Sequence, residues 1–88
     1  LALLHSDFLN DQAAKLAVRV TTTAGPDPRK QVAETIRLAL DRPATDEEIA
    51  AGLDLLERLT KNHNQKPEAA LRFWCLTVLN LNEFVYLD

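Results

Sequence analysis

The sequence predicts an all-α fold, a compact bundle of about four helices. Three observations carry that expectation. Apolar residues recur at the 3.6-residue period, Ser, Asp and Thr caps open the periodic stretches, and Gly or Pro closes them. The helices are expected at about 6–23, 28–41, 46–60 and 67–81, followed by a short C-terminal tail.

Ser6 is a good N-cap with acidic Asp7 in the first turn, where a negative charge suits the helix dipole. Phe8, Leu9, Ala13, Leu16, Ala17 and Val20 then keep the helical period. The β-branched run Thr21-Thr22-Thr23 weakens this first helix, and Gly25-Pro26 ends it. Asp27-Pro28 restarts the chain with an N-cap and a proline at the first helical position. Val32, Ile36 and Leu40 form the second stripe, which Pro43 stops.

Thr45-Asp46-Glu47-Glu48 has the form of a capping box, and Ile49, Leu53, Leu56 and Leu59 follow as a stripe. Gly52 inside that helix costs about 1 kcal/mol relative to Ala, which implies a close helix–helix approach. The polar loop 61–66 leads to Pro67 and a fourth helix with Leu71, Trp74, Cys75, Val78 and Leu79 on one face. Phe73 and Leu76 occupy other faces, so this helix is apolar nearly all round and is expected at the centre. For residues 80–88 the aromatic and β-branched content leans toward extended backbone.

Composition excludes several chemistries. The 88 residues are 47% apolar and 26% charged, one domain's worth of globular chain. With 10 basic and 13 acidic residues the net charge is −3, which disfavours a phosphate-backbone binder. Residues 1–44 carry six basic and five acidic side chains, and residues 45–88 carry four and eight. A helix-turn-helix reading of the second and third helices would aim Asp46, Glu47 and Glu48 at DNA, so nucleic acid is not an expected partner.

One cysteine, Cys75, excludes an internal disulfide and multi-Cys metal sites, and its apolar surroundings point to an inert buried thiol. His5 and His63 lack metal-ligand spacing, and His63 sits in a polar loop. Glu47, Asp54 and Glu57 read as a solvated face, and with Gly25 and Gly52 the only glycines there is no phosphate-cradling loop. No cofactor and no transmembrane segment are expected, and the residues do not compose an enzyme site by themselves.

The chain opens inside an apolar run, Leu1-Ala2-Leu3-Leu4, and closes on Phe84-Val85-Tyr86-Leu87. It reads as a single helical domain, 1–88, from the C-terminal end of a larger protein. Its apolar ends would pack on other domains of that parent or on a second copy.

Three stretches resemble a known family. These are Leu3-Leu4-His5-Ser6-Asp7-Phe8-Leu9, the run Arg37 to Glu48 (RLALDRPATDEE), and Leu79 to Asp88 (LNLNEFVYLD). Together, in this order, they resemble the C-terminal part of the planctomycete-type domain of unknown function, which ends large exported proteins, sometimes beside c-type cytochrome-like modules. The resemblance implies an exported or cell-envelope protein and carries over no catalytic residue. No C-x-x-C-H motif is present. Asp41 stands where the family has Gly, so a left-handed C-cap would cost more here or be absent; Ala44 and Asp7 replace prolines.

Two functional classes follow. The first is a non-catalytic structural or interaction module, for which Arg42, Asn80, Asn82, Glu83, Phe84 and Tyr86 are the residues of interest. The second is a contribution to an enzyme site completed by upstream domains, made through Asn80, Asn82, Glu83 and Tyr86. The plainer expectation for those groups is that Asn80 and Asn82 cap the fourth helix and Glu83 pairs with a basic residue such as Arg42.

Overall fold

The computed structural model describes the backbone of residues 7–87 and the side chains of residues 7–81. Within them the chain forms four α-helices: α1 (Asp7–Ala24), α2 (Pro28–Leu40), α3 (Asp46–Asn62) and α4 (Pro67–Leu87). Ser6, His5 and the apolar run 1–4 lie outside the described residues.

The local chemistry explains most boundaries. In α1 the three threonines turn their hydroxyls back onto the i−4 carbonyls of Ala17, Val18 and Arg19 at 2.9, 2.9 and 3.0 Å. The hydroxyls are thereby satisfied within the helix, Thr23 Oγ1 also reaching Glu34 Oε2 at 2.7 Å, and the helix holds to Ala24 before Gly25 turns it at φ 78°. Asp27 then caps α2, its carboxylate accepting from the Arg29 amide at 3.0 Å. The left-handed cap is present after all: Asp41 sits at φ 57°, ψ 41°, and donates its N–H to the Arg37 carbonyl. The Thr45–Glu48 box forms in both directions, Glu48 N–H to Thr45 Oγ1 at 3.1 Å and Thr45 N–H to Glu48 Oε1 at 2.9 Å.

Two helix ends differ from expectation. α3 runs on to Asn62, and a second left-handed residue, Asn64 at φ 57°, reverses the chain so that Gln65 N–H reaches the Leu59 carbonyl at 3.0 Å. α4 continues to Leu87, so the backbone of 82–87 is helical rather than extended. Nothing in that stretch is a breaker: it holds no Gly or Pro, and Leu and Glu are good helix formers. Asn80 and Asn82 therefore lie inside α4 and do not cap it.

Packing follows from the apolar faces. α4 touches all three other helices, the central position its all-round apolarity predicts. It buries Leu71, Trp74, Cys75, Leu76 and Val78 against Leu9, Ala13, Leu16, Ala17 and Val20 of α1 and Val32 and Ile36 of α2. Each such large side chain contributes about 1.5–3 kcal/mol when fully withdrawn from water. α2 also touches every other helix, whereas α1 and α3 never meet. α3 approaches through Gly52: a Cβ there would lie 2.5 Å from Val32 Cγ1 and 3.0 Å from Trp74 Cζ2. The close approach predicted from this glycine is the seam between α3 and the α2–α4 pair.

Candidate functional site

Because α1 and α3 do not meet, a groove stays open where their C-terminal ends face the N-terminal ends of α2 and α4. Its volume is about 760 Å³, within the range of ordinary binding clefts. Leu53 and Leu56 of α3 form one wall, Ala70 and Leu71 of α4 the floor, and Pro26, Pro28 and Pro67 the rigid rim. Pro28 and Pro67 are there as the first residues of α2 and α4 and Pro26 follows the turn at Gly25, and a proline ring adds apolar surface without offering an N–H.

The polar groups of the lining are largely spent on their own helices. Thr21 Oγ1 donates to the Ala17 carbonyl and Thr60 Oγ1 to the Leu56 carbonyl, both at 2.9 Å. Gln31 Nε2 donates to the Gly25 carbonyl at 2.7 Å, and Lys61 Nζ holds Glu57 at 3.0 Å. The groove therefore presents apolar surface with few free donors. Such a surface favours cover by other apolar side chains over capture of a polar ligand. A second hollow of about 260 Å³, beside Arg72, Phe73 and Leu76, is smaller and more polar.

Arg42, singled out in the sequence, lies elsewhere, in the α2–α3 turn. Its guanidinium forks onto Glu48 at 2.9 and 2.6 Å and also reaches the Pro43 carbonyl at 3.1 Å. The Glu48 carboxyl is held down to about 2, first by Arg42 and then by the Thr45 backbone N–H. The same pairing raises Arg42 above its ordinary value. The partner foreseen for Arg42 was Glu83; the described partner is Glu48, three residues after Thr45, and the spacing Arg42-x-x-Thr45-x-x-Glu48 was the available signal.

Asn80 is half-buried in α4. The side chains of Asn82, Glu83, Phe84 and Tyr86 lie outside the described residues. Their helical backbone places positions 80 and 84 on one face and positions 82 and 86 on the opposite one. On the helical period positions 82, 83 and 86 fall within about 100° of one another, on one face, and position 80 lies outside that arc.

Cys75 is buried, 3.8 Å from Thr35 Oγ1, and burial pushes its thiol up to about 11. His63 is exposed just past α3, and Glu47, Asp54 and Glu57 face solvent. Among the described residues no cluster of His, Cys, Asp and Glu could hold a metal ion. No described helix is long and apolar enough to cross a membrane. The Trp74 indole Nε1 is buried without a hydrogen-bond partner.

No family model, curated protein or solved structure matches the chain.

Proposed function

We propose that this chain is a non-catalytic helical interaction module that packs against other domains of a larger exported protein. The observation that carries the reading is the apolar groove, whose lining is self-satisfied in its polar groups and open in its apolar ones. The resemblance to the planctomycete-type domain supplies the exported parent.

The test compares the isolated chain with the protein encoded by the complete reading frame. Amide exchange around Thr21, Leu53, Leu56 and Leu71 should slow at least tenfold in the parent, and Leu56→Glu should reverse that protection. Equal exchange in both contexts, or a reading frame with no further domain, refutes the proposal.

A further inference from the structure

The four helices are not attached equally. α2 and α4 touch each other and both flanking helices. Of the flanking pair, α1 buries Leu9, Ala13, Leu16, Ala17 and Val20, while the single fully buried residue of α3 is Gly52, which brings no side chain. The stripe Ile49, Leu53, Leu55 and Leu56 is only half-buried against the core, and Leu53 and Leu56 turn part of their surface into the groove.

Inside itself α3 is the best-supported helix. It has the reciprocal Thr45–Glu48 box, the Arg42 fork onto Glu48, and two i,i+4 ion pairs, Asp54–Arg58 and Glu57–Lys61, both at 3.0 Å. These interactions are local and do not depend on the rest of the bundle. The two non-glycine residues with positive φ, Asp41 and Asn64, bracket α3, one in each connecting turn. Left-handed backbone at a residue with a Cβ is a state the surroundings must hold, and turn residues that can change φ and ψ are what a hinge requires.

From this combination, weak tertiary attachment with strong internal support between two left-handed turns, we infer that α3 opens from the α1–α2–α4 core as a single hinged unit. Opening uncovers the leucine stripe together with Val32 and Trp74, the groups that Gly52 covers. It turns the groove into a broader apolar surface and frees the Trp74 Nε1, which has no partner in the closed form. The inference does not depend on what the groove binds, because it concerns the chain by itself.

Native-state amide exchange of the whole chain, followed by NMR at low denaturant, tests it. Once detached, a helix of this length is only marginally stable in water and keeps its hydrogen bonds part of the time. The interior amides of α3, from Leu53 to Arg58, should therefore exchange with one common opening, at least tenfold faster than Val32 to Ile36 of α2 and Leu71 to Val78 of α4. Gly52→Ala, which drives a methyl into Val32 and Trp74, should accelerate α3 at least tenfold more and leave the α4 amides unchanged. If Gly52→Ala does not fold, Leu53→Ala is read in the same way. Exchange of all four helices at one rate overturns the inference, as does a variant that accelerates α3 and α4 by the same factor.

Discussion

At Asp41 the backbone is left-handed, φ 57°, and among the described residues the other positive-φ positions are Gly25 and Asn64. A side chain with a Cβ crowds the carbonyl there, and Asp tolerates it better than most because it is short and polar. Asp41→Gly should therefore stabilise the fold by about 0.5–1 kcal/mol, read as an upward shift of the urea midpoint at constant slope. Failure to gain stability would mean that the Asp41 side chain makes up the backbone cost. The sequence marks this position only through its resemblance to a pattern that prefers Gly here. At Gly52 it is more informative, since a glycine inside a leucine-striped helix already implies a close neighbour. What it does not name is the neighbour: Val32 is twenty positions back and Trp74 twenty-two ahead, and only the packed bundle brings them to the same point.

The elements were legible where their ends carry capping chemistry. Asp27-Pro28 and Thr45 to Glu48 set the starts of α2 and α3 to the residue. Ends without a strong stop ran on, as α4 did past Leu81 and α3 past Thr60, because the rise in helix cost with each residue is small and no Gly or Pro intervenes. The clamp at the head of α3 gives a pH prediction. Glu48 is at about 2 in the folded chain and near 4.5 when unfolded, so the unfolded state takes up protons first. The stabilisation is complete above about 4.5 and is lost as the pH falls toward 2; Glu34, held to about 2 by Arg37 and Thr23, behaves alike. Glu48→Gln should lower the urea midpoint at pH 6, and the gap to the unaltered chain should narrow to a minor part of that by pH 2.5. A gap of the same size at both pH values would show that the Arg42 ion pair is not its source.

For the whole molecule, the Cα radius of gyration is 12.1 Å, the value of about 12 Å that a compact chain of this length adopts. Its centre is the α2–α4 pair, with Cys75 against Thr35 sealed between them. Reaction of Cys75 with a disulfide reagent at pH 8 should be at least a hundredfold slower in the folded chain than in 6 M guanidinium, because the thiolate is suppressed and access is blocked. Rapid labelling of the folded chain would contradict the packing of α4 at that point. The thiol's burial was readable from Trp74-Cys75-Leu76 on the most apolar helix. The Arg42 fork left a signal only in the spacing to Thr45 and Glu48, and the groove left none, since it depends on how four helix ends are placed.

The sequence by itself determined the helix count, three of the four turns of phrase that start helices (Asp27-Pro28, Thr45–Glu48 and Pro67), the central place of α4, and the glycine at the α3 seam. All of these rest on local backbone chemistry or on the period of one helix's apolar face, which are properties of neighbouring residues. Only the tertiary structure decided that α1 and α3 never touch, that Pro26 of the first turn and the helix-starting Pro28 and Pro67 converge on one rim, and that α3 hangs on half-buried leucines. Those features depend on how helices distant in the chain are arranged around one another, and a helical period records that a face is apolar without recording what covers it.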